Sequence, residues 1–107
     1  MSREQSTPGA HRMERIPVLE ERVHLVTVGD EAILYDESTG SYRHLNTSAT
    51  AACLLIDGRT SLQAITDSLA GVYQAPVPTV RDDVLRLTAE LVDRDLLRWT
   101  DAVPGRP

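Results

Sequence analysis

The chain has no lysine and no phenylalanine, and only one cysteine and one tryptophan. All 11 of its basic residues are therefore arginines. Without a lysine there is no amine for Schiff-base chemistry and no P-loop lysine to hold a phosphate. The lone Cys53 has no partner for an internal disulfide. With one Trp, three Tyr and no Phe, the core must be built from Leu, Val, Ile and Ala. No run of about 18 apolar residues is present to cross a membrane, and no apolar signal-type segment opens the sequence. A reducing cytoplasm is the expected setting, with no membrane partner.

Positive charge is also scarce. The 107 residues carry a net charge of −5. The four Arg and four Glu of residues 1–22 cancel, so the remainder, with seven Arg against 12 acids, carries all of it. A nucleic-acid-binding surface shows a basic patch, and none is visible. The three histidines, His11, His24 and His44, are scattered and make no zinc-ligand spacing with one cysteine. Glycines are isolated, so no phosphate-cradling loop exists, and no nucleophile motif stands out. Cys53 lies among Ala51, Ala52, Leu54 and Leu55 and reads as a small buried hydrophobe. No metal, no cofactor and no catalysis are expected.

What is present is a single domain with polar ends. Residues 1–17 are polar, with Pro8-Gly9 and no apolar period, and the expected flexible tail extends to residue 22. Val23 to Val28 is rich in β-branched residues and reads as a first strand. Gly29-Asp30 turns the chain into a second strand, Glu31 to Asp36. Glu37 to Ser41 is a polar turn with Gly40 free to take positive φ, and Tyr42 to Leu45 is a short third strand. Short turns between successive strands imply an antiparallel meander.

Three helices follow. The first spans about Thr47 to Ile56, capped by Asn46 or Thr47 and closed by Gly58 at its left-handed end. The second runs from about Ser61 to Val72, with Leu62, Ile65, Leu69 and Val72 at helical spacing. Ala75-Pro76-Val77-Pro78 reads as a stiff linker. The third helix runs from about Thr79 to Asp95, and Leu96 to Trp99 is a short extended end. Residues 23–99 form the expected domain, and residues 100–107 a second flexible tail.

The third helix carries more than one apolar stripe. At about 100° per residue, Val80, Val84, Leu87 and Leu91 fall within roughly 60° of each other and make a core stripe. Asp82, Asp83, Arg86, Glu90, Asp93 and Arg94 form a solvated side. Between them lies a mostly uncharged sector of Arg81, Leu85, Thr88 and Val92. That sector is either a wider core face or a binding surface.

The order of these pieces resembles the PqqD family, also called RiPP precursor recognition elements (RiPPs being ribosomally made, post-translationally modified peptides). The matching residues are Tyr35 to Asn46, Ile56-Asp57-Gly58-Arg59, Ile65 with Leu69, Tyr73, and Asp83-Val84 through Leu87 and Leu91 to Leu96-Leu97. The resemblance covers roughly residues 23–99. It implies an α+β fold similar to a winged helix-turn-helix: a three-stranded antiparallel sheet followed by three helices. It also implies a non-catalytic adaptor that binds the leader segment of a precursor peptide. In such proteins the leader adds as a strand to the edge of the third strand, against the third helix. Carried over, the edge is Tyr42, Arg43, His44 and Leu45. The groove wall is Arg81, Leu85, Thr88 and Val92, with Val84 at its border. Leu45, in alternation with Arg43, is expected in the core, joining binding through its backbone alone.

Stand-alone members of this size accompany lasso-peptide proteases and radical-SAM enzymes, so a modifying enzyme or leader protease is the implied second partner and a lasso-type pathway the favoured one. Two alternatives share the fold. A winged-helix DNA-binding regulator would need basic and amide side chains on its recognition helix, where this chain has five acids and three arginines. A plain interaction module would pair the same edge strand between two copies, giving a weak dimer in place of a monomer.

Overall fold

The computed structural model describes residues 13–100. In chain order they form β1 (Ile16–Leu19), β2 (Val23–Val28), β3 (Glu31–Asp36), β4 (Tyr42–Leu45), α1 (Thr47–Leu54), α2 (Leu62–Tyr73), α3 (Val77–Asp93) and β5 (Leu97–Thr100). The expected α+β architecture is present: β2, β3 and β4 are an antiparallel meander followed by three helices. Asp36 builds the turn between β3 and β4. Its Oδ1 accepts from the Ser38 backbone N–H at 2.9 Å and hydroxyl at 2.7 Å, and its Oδ2 from Arg22 Nε at 3.2 Å. Gly40 takes φ +77 and donates to the Asp36 carbonyl, a conformation that glycine adopts without a Cβ penalty.

A second sheet corrects the expected tail of residues 1–22. β1 pairs antiparallel with β5, from Ile16 opposite Thr100 to Leu19 opposite Leu97, and Met13 is buried in the core. Thr100, expected in the C-terminal tail, is the last residue of that sheet. The expected tails at residues 1–12 and 101–107 lie outside the described residues. Both strands of a two-stranded sheet are edges, and an edge tolerates the missing N–H of Pro17.

The helix ends follow local chemistry. Asn46 caps α1, its Oδ1 accepting from Ala49 N–H at 2.9 Å, and Ser61 caps α2 by accepting from Ala64 N–H at 3.1 Å. α1 stops two residues before the expected Ile56, because Leu55 and Ile56 bond back three residues and tighten the last turn. Gly58, at φ +78, is not its C′ residue; it sits in a turn held by Asp57, whose Oδ1 accepts from Arg59 and Thr60 N–H. Val72, assigned to the apolar side of α2, is exposed. The expected Pro-rich linker is in fact the start of α3. Pro76 is the N-cap and Pro78 lies in the first turn, where helix N–H groups have no intrahelical partner to lose. α3 ends in a Schellman motif: Asp95 takes φ +63, Leu96 N–H bonds to Leu91 C=O, and Asp95 N–H bonds to Val92 C=O.

Two apolar clusters hold the layers together. One gathers Met13, Ala52, Leu62, Ile65, Leu69, Ala70, Val80 and Val84. The other joins the sheet to α3 through Val23, Ala32, Leu34, Leu45, Cys53, Leu91, Leu96 and Leu97. Trp99 packs against both, with the Arg15 guanidinium 5.4 Å from its ring centre. Burial pushes the Cys53 thiol up to about 12, so it is an inert core residue.

Candidate functional site

β4 is a free edge of the three-stranded sheet. Bonded and non-bonded pairs alternate along an antiparallel ladder. Asp36 N–H bonds to Ser41 C=O, and Glu37 N–H to Arg22 C=O. Counting from these, Leu34 and Ala32 exchange bonds with Arg43 and Leu45. The peptide groups of Tyr42 and His44 therefore point outward, away from β3. They form a template for one further strand. Their side chains lie on the outer sheet face: Tyr42 is 68% exposed, and His44 Nε2 is 2.9 Å from Glu31 Oε1.

Arg43 points the other way, toward α3. Its Nε and Nη2 form a fork on the two carboxylate oxygens of Glu90, the Nη2 bond being 2.8 Å. That hydrogen bond raises the Arg43 pKa and holds Glu90 below the usual carboxylate range. Arg43 also donates to the His44 carbonyl. Beyond this pair, between β4, α1, the end of α2 and α3, lies a groove of about 550 Å³. Ala49, Ala52, Leu69, Val80, Val84 and Leu87 give it an apolar lining. Asn46, Ser48, Tyr73, Thr79, Asp83, Arg86 and Glu90 supply polar groups.

The sequence-assigned residues divide sharply. Tyr42 and His44 present the free edge; Arg43 and Val84 line the groove. Leu45 is fully buried, its carbonyl accepts from Thr50 Oγ1 at 3.3 Å, and its ladder bonds face β3. It has no outward backbone group to offer. Arg81, Leu85, Thr88 and Val92 do not line the groove. Leu85 packs on the cluster containing Met13, and Val92 on that containing Leu97. Thr88 is 2% exposed, with its hydroxyl donating to the Val84 and Leu85 carbonyls. Leu85, Thr88 and Val92 belong to the core side of the helix, and the α3 side of the groove runs along Val80, Asp83, Val84, Leu87 and Glu90. The missed signal was the same 80–84–87–91 stripe: it is a seam, its floor shared between core and groove.

Among the described residues no cluster of three or more His, Cys, Asp or Glu is placed to hold a metal ion. No described helix is long and apolar enough to cross a membrane.

Residues 31–97 match the family described as "Coenzyme PQQ synthesis protein D (PqqD)". Among solved structures, the chain is similar to one described as "TbiB1 in Complex with the TbiA(beta) Leader Peptide", with a TM-score of 0.69 and 22% identity. The likeness covers 84% of this chain and 98% of that one, and it is a likeness of fold. No curated protein matches the sequence.

Proposed function

The chain belongs to the PqqD family, a family of non-catalytic peptide-binding proteins, and from that premise we propose that it binds the leader segment of a ribosomally made precursor peptide. The observation that carries this reading is the pairing of two features. Tyr42 turns its N–H and C=O outward and His44 its N–H, the His44 C=O being held by Arg43, and a groove of about 550 Å³ with apolar and polar lining lies beside them against α3. An extended peptide gains main-chain hydrogen bonds from the edge and specificity from side chains set in the groove. TbiB1, which shares the fold, was solved with a leader peptide.

The bound leader leaves the core segment free for a modifying enzyme or leader protease. Tethering raises the local concentration of core at that enzyme without any bond being made here. The pathway is a lasso-type one, acting in the cytoplasm, and the adaptor works as a monomer.

Amide hydrogen exchange on adding the leader segment of a precursor peptide tests the reading. The Arg43 and Leu45 amides, bonded to β3, are protected before and after. The Tyr42 and His44 amides gain protection only with the leader. Protection gained elsewhere, with none at Tyr42 and His44, contradicts strand addition at this edge.

A further inference from the structure

The trench between β4 and α3 is two hollows, not one. Beside the large groove lies a second of about 280 Å³ against Ser41, Tyr42, Arg94 and Leu96. Arg43 lines both. The two elements pass each other in opposite senses. The large groove runs along α3 from Thr79 to Glu90 and meets the chain at Arg43 and Asn46; the small hollow takes Ser41 and Tyr42 at the start of β4 and Arg94 and Leu96 just past α3. Between them stands the Arg43–Glu90 pair. It is fixed from both sides, because Glu90 Oε2 also accepts from Arg94 Nε at 3.1 Å and Arg43 also donates to the His44 carbonyl.

We propose that the Arg43–Glu90 pair is a partition across this trench and that it sets the pattern of the bound segment: bulky, any, small, any, bulky. The inference rests on the peptide-binding reading above and adds the size rule. A strand hydrogen-bonded to Tyr42 and to the His44 N–H turns every second side chain toward α3, with inward positions about 6.6 Å apart. One inward position lies level with Arg43 and meets the ion pair. Its inward neighbours, two residues away on either side, drop into the two hollows. A long side chain over the partition collides with a fork held at both ends, or must break charge-assisted bonds to displace it. Glycine, alanine or serine passes over it. The unequal volumes place the larger of the two bulky side chains in the groove beside Val84 and the smaller one beside Leu96.

The test is panning a random 12-residue peptide library, displayed on phage, against the wild type and the Arg43→Ala/Glu90→Ala double variant. A Thr79→Trp variant, which fills the large groove from an exposed position, is the control. Wild type enriches the five-residue pattern. The double variant still enriches paired bulky residues but accepts any size between them. A synthetic consensus peptide with tryptophan at its middle position binds wild type about tenfold more weakly than its glycine counterpart, and binds the double variant about equally well. Enrichment that Thr79→Trp removes, but with no size rule or with a rule that survives in the double variant, overturns the partition and leaves peptide binding standing. Absence of any enrichment sensitive to Thr79→Trp overturns both.

Discussion

The two long faces of α3 are chemically similar and structurally opposite. One, with Leu85, Thr88 and Val92, is closed off by the core. The other has an equally buried floor, Val80 and Val84, but its margin at Asp83, Leu87 and Glu90 opens toward β4 as a groove. Hydrophobicity alone did not separate them. What did was which remote piece of chain arrived: β1 and β5 add a second sheet, with β5 against α3, whereas among the described residues no element beside the edge of β4 closes the groove. A helix face is a binding surface when the fold leaves it unpartnered, and its own residues do not announce which it is.

The sharpest way to break the comparison is to charge each face in turn. Leu85→Asp buries a carboxylate against the Met13 cluster. It is expected to destabilise the fold by about 3 kcal/mol, read as a lower urea midpoint. Thr79→Trp, on the open face, is expected to hold the midpoint within about 0.5 kcal/mol and to weaken leader binding at least about tenfold in an anisotropy titration. Reversal of the two outcomes would interchange the faces.

A smaller effect probes the bridge between β4 and the open face. Glu90 is depressed below its ordinary pKa, chiefly by the Arg43 hydrogen bond. A depressed carboxyl stabilises the fold above its unfolded pKa, and that contribution is lost as pH falls through the folded value. Both groups keep partial contact with water, so the contribution is about 1 kcal/mol or less. Chemical denaturation between pH 6 and pH 3 (roughly the range of a carboxylate) should show wild type losing this increment and Glu90→Gln lacking it. An unchanged pH slope in the variant contradicts the bridge.

The smallest expected effect lies at the end of α3. Asp95 occupies a left-handed C′ position. Asp95→Gly removes the Cβ penalty there and should stabilise by about 0.5–1 kcal/mol, a rise of a few degrees in thermal midpoint. Arg22 bonds the Asp95 backbone carbonyl, which the substitution retains. A lower midpoint contradicts this account of the helix end.

Legibility in the sequence tracked distance along the chain. The β2–β3–β4 meander and the starts of α1 and α2 were readable because Gly40, Asn46 and Ser61 act on neighbours within a few residues. β1 was hidden because its partner β5 lies at the far end of the domain and Pro17 interrupts any strand signal. The start of α3 was hidden because Pro76 and Pro78, breakers in a helix interior, are harmless in a first turn. The edge at Tyr42 to Leu45 came from the family resemblance, and which of its peptide groups face outward followed only from the β3–β4 register. The groove wall was not legible, because assigning Leu87 to a groove and Leu85 to the core requires knowing where β1 and β5 lie. Arg43 and Glu90 were both in view, but their pairing is a tertiary contact.

The central claim is that a peptide strand pairs with the outward groups of β4, and one substitution isolates it. His44→Pro removes an outward N–H and leaves every backbone bond between β3 and β4 in place, losing only the exposed His44–Glu31 side-chain pair, which is worth little. Titration of the labelled leader peptide into wild type and His44→Pro, with circular dichroism melts of both, is the measurement. Saturable binding at micromolar or tighter by wild type, lost in a variant with an unchanged melt, is the predicted result. Equal binding by the two proteins, or no saturable binding by the wild type, would contradict it.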